Sequence, residues 1–309
     1  MRKPAFQPNH SLSSIHPPHA AAGFSLLEMA VVLVIIGLLL AGTLLPMSAQ
    51  VDNRRTQETQ QQIDEITQAL VGFAVANGRL PCPADPTKAT GAANAGTEDL
   101  GAGTCNRTSG AVPWATLGVA ETDAWGRRFT YAVTGTFAQT IANAIATLPT
   151  WTAGTAYSLN TLVRPTTANG HYYLCQSAGT SSTTEPTSWP TDGTTVTDYT
   201  VTWKDMGTTM QAAFTLGSPG NYNVRATVGG NIIANQIPAV IVSHGKNGLG
   251  AYSQDGGQLA LSSDVDEIEN SNANADFVSK SPTATFDDLV GWLSANTLFS
   301  RMVAARKLP

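Results

Sequence analysis

Gly23-Phe24-Ser25-Leu26-Leu27-Glu28, with the apolar run that follows it to Leu45, decides how the rest of this chain reads. From Leu26 to Leu45 there are 20 residues, and Glu28 is the only charged one. That length matches the roughly 20 apolar residues, about 30 Å of helix, that a bilayer core requires. A carboxylate near the start of such a helix is costly in lipid and marks a functional position. Two plainer readings compete, a secretory signal peptide and a simple membrane anchor. A signal peptide places small residues at −3 and −1 just after its apolar core. Here Leu44-Leu45-Pro46-Met47-Ser48-Ala49 offers Ala49 but puts Met47 at −3, and Ala20-Ala21-Ala22 lies before the core.

The combination of cut site, glutamate and apolar span resembles the type IV pilin and type II secretion pseudopilin family. The resemblance implies that a prepilin peptidase cuts after Gly23 and that the new amino terminus, Phe24, is methylated. It also implies that Glu28 is the assembly residue. Elementary electrostatics supports that role, because a lone carboxylate in lipid needs a cation and the cut creates one. The amine of one subunit pairing with Glu28 of its neighbour would set an axial register that a purely apolar helix cannot specify. The expected function is therefore a minor pseudopilin or pilin-like structural subunit of a filament. Its expected partners are the prepilin peptidase, other pilin-type subunits and the bacterial inner membrane. The expected topology is single-pass, with the N-terminus cytoplasmic before cleavage and the head periplasmic. Arg2 and Lys3 in the leader fit a cytoplasmic start.

The chain has 309 residues, enough for two modest domains, and a net charge of −5. An acidic chain makes a poor nucleic-acid binder, since affinity there rests on neutralising phosphates. Charged residues are only 13% of the total, which suits an exported, weakly charged surface.

Beyond Pro46, Ile63, Ile66, Leu70 and Phe73 recur at helical spacing, and Asn77-Gly78 supplies a stop. The expected fold is α+β: a long N-terminal helix over 24–77, transmembrane in its first half, packed on an antiparallel-sheet head. The expected boundaries are a leader at 1–23, the helix at 24–77, a first head segment at 78–149, an insert at 150–207 and a second head segment at 208–309. Asp123-Ala124-Trp125-Gly126 resembles the family's turn into a strand, and Phe129, Tyr131 and Val133 then alternate as a half-buried strand does. Ala239-Val240-Ile241-Val242-Ser243 reads as a buried strand, with His244-Gly245-Lys246-Asn247-Gly248 as the turn after it. Near the end, Asp287 or Asp288 is placed to cap a short helix through Leu289-Val290-Gly291-Trp292-Leu293.

Residues 150–207 stand apart. They hold 3 of the 6 tryptophans, 4 of the 7 tyrosines and 16 threonines. The phrase from Trp151 to Trp203 resembles small chitin- and cellulose-binding β modules of the type 3 chitin-binding kind. That resemblance makes Trp151, Tyr157, Tyr172, Tyr173, Trp189 and Trp203 candidates for stacking on sugar rings of a polysaccharide. A module of this size also needs large side chains for its core, so most of the six read as core, with two left to form a surface platform. The second functional reading is thus a filament-displayed adhesin or substrate receptor that uses the insert.

No catalytic constellation stands out, and the reading is a non-enzyme. Only His171 and His244 follow the leader, in separate proposed domains, and no HExxH or phosphate-loop pattern occurs. No cofactor is expected, calcium excepted as a weak option. Calcium takes six to eight oxygens, and the acidic run Asp255, Asp264, Asp266, Glu267 and Glu269 offers carboxylates, with Asp264, Asp266 and Glu267 as candidates. The run matches no EF-hand, and solvated acids are the plainer account. Cys82 and Cys105 flank a Gly/Ala/Thr-rich loop, and a periplasmic location would let them pair; two free thiols are the alternative. Cys175 is then a small buried hydrophobe.

Overall fold

A computed structural model describes residues 25–308, with the side chains of residues 38–48 excepted. Gly23 and Phe24 lie outside that range. The elements in chain order begin with α1 (Leu26–Asn77), β1 (Ser109–Ala111), α2 (Trp114–Leu117), β2 (Thr130–Val133), α3 (Gly135–Ala138) and α4 (Ile141–Ala146). Six short strands follow: β3 (Ala156–Tyr157), β4 (Leu162–Val163), β5 (Tyr173–Ser177), β6 (Gly179–Thr180), β7 (Thr195–Asp198) and β8 (Val201–Asp205). The chain closes with β9 (Tyr222–Arg225), β10 (Ile232–Ile237), β11 (Ala239–Ser243), α5 (Val265–Glu269), β12 (Asp276–Val278), β13 (Leu289–Leu293) and α6 (Ala295–Ala304). The architecture is α+β, a long helix followed by mainly antiparallel sheets.

The chain divides into two compact units, one ending at Val51 and one starting at Asp52, and α1 contributes to both. In the first, Leu26, Leu27, Met29 and the run Val31 to Ile36 are exposed. Among the described residues no helix is long and apolar enough to cross a membrane. The expected span, Leu26 to Leu45, runs into residues 38–48, whose side chains are outside the description.

In the second unit α1 lies on a four-stranded antiparallel sheet in the order β1-β2-β11-β13. Ile63, Ile66, Leu70 and Ala74 are buried along one stripe, spaced to return to the same helix face every turn or two. Phe73, expected on that stripe, is half-exposed instead and lies beneath the Arg79 guanidinium at 5.3 Å. From the sheet, Phe129, Tyr131, Val133, Ala239, Ile241 and Leu293 face this core, which α3 and α6 complete with Phe137, Leu298 and Met302. The opposite face carries Ala132, Val240 and Val242 and is covered by Tyr222, Val224, Ile237 and Phe277 from a second sheet, β10-β9-β12. β2 and β11 are therefore buried on both faces. That is why Ala239 to Ser243 reads as a continuous apolar run, and β2 is more deeply buried than its alternation suggested.

The segment expected as a short helix after Asp288 is strand β13. Five residues pair it with β11, from Ala239 opposite Leu293 to Ser243 opposite Leu289, and this sheet pairing overrides the local helical look. The terminal helix is α6, one segment later, where Thr297 N–H donates to the Ser294 side chain as an N-terminal cap.

Among the described residues, strands β3 to β8 pair only with one another, as a β4-β5-β8-β7 sheet and a β3-β6 ribbon. They meet the rest of the second unit along an apolar seam: Tyr172 and Leu162 pack with Ala144, Ile141, Ile145, Leu148, Met210 and Ala213. Cys82 and Cys105 form a disulfide, and Cys175 is a free, buried thiol. Closing a loop of this length restricts the unfolded chain by about 3 kcal/mol.

The helix approaches the sheet closely at Gly291, where an added Cβ would lie 2.3 Å from Ile63 Cγ2. Gly291→Ala is expected to destabilise the protein by about 1–3 kcal/mol through overpacking. The Ile63→Ala/Gly291→Ala double variant is expected to lose less than the sum of the two single changes. Chemical denaturation of the detergent-solubilised chain measures both.

Candidate functional site

The described chain starts at Ser25, and its first turn has a defined polar geometry. Glu28 N–H donates to Ser25 Oγ at 3.1 Å, and Ser25 N–H donates to Glu28 Oε2 at 3.4 Å. This is a reciprocal capping box, in which Ser-x-x-Glu satisfies two helix-end donors at once. The sequence carried that signal, but the reading of Glu28 as an intersubunit residue passed over its local use.

The second polar constellation forms where β11 ends and β13 begins. Because Ser243 pairs with Leu289, the residues just beyond, His244 and Asp288, are brought together at one end of the sheet. His244 Nδ1 lies 3.9 Å from Asp288 Oδ1, with both side chains fully buried. The ring's Nε2 lies 2.9 Å from Thr130 Oγ1. Gly245 sits at φ +57°, and a Cβ there would lie 2.3 Å from the Asp287 carbonyl oxygen, so only glycine admits this turn. Glu267, from α5, joins Asp287 and Asp288 with ligand oxygens all within 4.8 Å of one another. Burial, then the neighbouring carboxylates, pushes Asp288 well above the usual carboxylate range; burial also raises Asp287. Burial pushes His244 down to about 4, so its imidazole is neutral at physiological pH.

The acidic run singled out in the sequence does not converge. Asp264 caps α5 by accepting Asp266 N–H and takes the Thr285 hydroxyl on its other oxygen. Asp266 accepts Val228 N–H and pairs with Lys280. Asp255 bonds Ser253, and Glu269 takes Asn272 and Asn274. Of the three candidates only Glu267 enters the cluster, and its companions are two residues that sequence reasoning had cast as a helix cap. The adjacent Asp287-Asp288 pair was visible, but the sheet pairing that folds it against Glu267 was not.

A third polar centre lies inside the β3–β8 region. Asp198 Oδ2 accepts both the Trp151 indole N–H at 2.7 Å and the Trp203 indole N–H at 3.0 Å, while Oδ1 accepts Ser182 N–H at 2.9 Å. Trp151, Tyr173 and Trp203 form its core with Val163, Cys175 and Val201. Tyr172 is spent in the seam with Ala144 and Met210. Of the six aromatic candidates, Tyr157 and Trp189 keep partial exposure. Tyr157 meets Trp203 edge-on at 4.9 Å, and Trp189 leans on Tyr173 at 4.4 Å. Tyr199, which the sequence reading passed over, is 74% exposed at the β7–β8 turn with φ +55°.

His171 Nδ1 lies 2.8 Å from Asp205 Oδ1. Asp205 also accepts Gly193 and Gly207 N–H groups, which marks it as a turn organiser. Replacing Asp198 strands two buried indole N–H groups, each costing about 1–3 kcal/mol. Asp198→Ala is therefore expected to unfold the β3–β8 region. Loss of its near-ultraviolet tryptophan dichroism, with the β11 and β13 amides still protected from hydrogen exchange, is the expected result.

Residues 18–44 match the family model described as the prokaryotic N-terminal methylation motif. The match spans Gly23, Phe24 and Glu28 and ends one residue short of the apolar run's last leucine, Leu45. No curated protein and no solved structure matches the chain. The N-terminal motif is that of type IV pilin-like and pseudopilin chains, substrates of a prepilin peptidase.

Proposed function

We propose that this chain is a minor structural subunit of a type IV pilin-like filament, of the secretion pseudopilus or pilus class. In this reading it is cut after Gly23, methylated on Phe24 and held in the bacterial inner membrane by the helix that starts at Leu26, with its head periplasmic. The observation that carries the reading is the match of residues 18–44 to the N-terminal methylation motif. The exposed apolar side chains from Leu26 to Ile36 support it, since such a surface needs lipid or other subunits to cover it. The disulfide supports an oxidising, extracytoplasmic head. The motif points to a structural subunit rather than an enzyme.

A second reading makes the filament a display platform for the β3–β8 region. Exposed Tyr199, with Tyr157 and Trp189 half-exposed, is the observation in its favour, since aromatic faces at a surface suit stacking on sugar rings. The platform is narrower than six residues, because the other four aromatics are committed to the core and the seam.

Mature protein is expected to begin at Phe24 with a methylated amine; intact-mass analysis of membrane extracts measures this, and a start at Gln50 or an uncut Met1 would sink the filament reading. Glu28→Ala is expected to stay in the membrane yet fail to enter filaments, as read by shearing or crosslinking, with Glu28→Asp retaining part of the function. For the display reading, Trp189→Ala and Tyr199→Ala are expected to lower retention on insoluble chitin or cellulose while the far-ultraviolet dichroism stays unchanged. Retention by the unaltered chain equal to that of an inert control would rule out glycan binding.

A further inference from the structure

Where strands β3 to β8 meet the rest of the second unit, the apolar seam does not close along its whole length. Beside Ala144, Met210 and Ala213, which the seam buries, a cleft of about 350 Å3 stays open. That volume falls in the range of small-molecule sites, about 300–1,000 Å3. Met210, Ala213 and Phe214, all buried, form its apolar floor. Its walls come from three stretches distant in sequence: residues 136–149 across α3 and α4, the turn between β3 and β4, and the segment that follows β8 as far as Ser218. None of the residues lining it has an ionisable side chain.

The polar side chains around the cleft fall into two groups. In the first, Thr147 donates to the Asn143 and Ala144 carbonyls, Thr215 N–H donates to Ser218 Oγ, and Gly217 N–H donates to Thr215 Oγ1. Those groups are spent on their own turns. In the second, Gln139 accepts the Asn143 side-chain amide on Oε1 at 2.8 Å, and its Nε2 has no partner among the described residues. The Thr136 and Thr161 hydroxyls and the Asn160 side-chain amide have none there either, and all four residues line the cleft. Water satisfies such groups on an open surface. Here they surround an apolar floor that water wets poorly, so a ligand offering both hydroxyls and C–H faces gains from each.

We infer that this cleft binds one sugar residue of an uncharged glycan, with Thr136, Gln139, Asn160 and Thr161 hydrogen-bonding its hydroxyls. The lining decides the class of ligand. A uronate, a phosphate or an amine would leave water with no opposite charge to receive it. A wholly apolar ligand would cover the uncommitted hydroxyls and amides without replacing their hydrogen bonds to water. A pyranose has hydroxyls at its rim and C–H groups on its faces, and it meets both demands. Asn160 and Thr161 belong to the β3–β8 region, while Thr136 and Gln139 belong to the α3 end of the head, so a bound sugar would bridge the seam. The inference stands apart from the filament reading. It also stands apart from the surface platform, since neither Trp189 nor Tyr199 lines the cleft.

The test uses the full-length chain, extracted in a detergent without a sugar headgroup and labelled with 13C at the methionine methyls. Chitobiose and cellobiose are the probes. The expected result is a saturable shift of the Met210 methyl resonance, which the volume-conserving Met210→Leu variant assigns. Glucuronic acid is expected to give no shift. Thr136→Val removes a hydroxyl at constant shape, and Asn160→Gly removes the amide while keeping a backbone at φ +67°. Each is expected to weaken binding about 3- to 10-fold. Leu261→Ser, at an exposed position that does not line the cleft, is expected to leave binding unchanged. The unaltered chain alone decides the question should a variant fail to fold. No saturable Met210 shift with either disaccharide overturns the site, and an equal shift with glucuronic acid overturns the uncharged ligand. A shift lost in Trp189→Ala but kept in Thr136→Val and Asn160→Gly moves the sugar to the surface platform and overturns the cleft.

Discussion

The contact between Ile63 on α1 and Gly291 on β13 governs how the second unit is built. Because position 291 carries no side chain, the helix can lie close to the sheet and bury an entire stripe from Ile63 to Ala74. With one face taken by a helix, the other still exposes Ala132, Val240 and Val242, and the small β10-β9-β12 sheet covers them. The central strands are thereby sealed on both sides, so polar groups are confined to the two ends of the sheet. At one end β11 turns through His244, beside the acidic cluster. At the other, where Val133 pairs with Ala239 and Ala239 with Leu293, the chain leaves through α3 and α4 toward the β3–β8 region. The acidic cluster and the route toward the β3–β8 region therefore lie at opposite ends of the sheet.

The parts of this fold legible in the sequence were those written in local pattern. The helical stripe, the continuous apolar run of β11 and the Asp123 turn all declared themselves. In that turn Asp123 accepts Trp125 and Arg127 N–H groups, and Gly126 takes φ +79°. What stayed hidden was decided by partners far along the chain. Leu289-Val290-Gly291-Trp292-Leu293 has no alternation to announce a strand, and only its pairing with β11 makes it one. For the same reason Asp287 and Asp288 looked like a helix cap when they are the approach to a sheet. The acidic run misled in the opposite direction: neighbours in sequence, Asp264, Asp266 and Glu267 point to three different places, since a short helix spreads consecutive side chains around its axis.

The β3–β8 region shows how a small body of strands gains definition from one charged group. Its hydrophobic core is modest, and two indole rings would leave buried N–H donors unsatisfied. Asp198 takes both, so a single carboxylate fixes the relative positions of Trp151 at the region's entrance and Trp203 near its exit. Arg164 adds to this closure by donating through Nε to the Leu148 carbonyl and through its backbone N–H to that of Pro149. The entrance and exit of the segment are thus held by polar contacts, while Tyr172 and Leu162 supply the apolar seam. Aromatic richness in this stretch serves first to build a core, and only the residues left over at its surface are free for recognition.

The capping box at the start of α1 bears on reversibility. In the free chain Glu28 is already engaged, accepting the Ser25 N–H while Ser25 accepts its own. A neighbour's amine that recruits this carboxylate would have to displace the Ser25 N–H, a neutral donor that leaves the charge uncompensated. In the proposed assembly the first helical turn would give up that hydrogen bond as a charge-assisted one formed, so the net driving force would be the ion pair less one contact to a neutral donor. A subunit leaving the proposed assembly would find its original donor waiting, so the carboxylate would return to a hydrogen bond rather than to none.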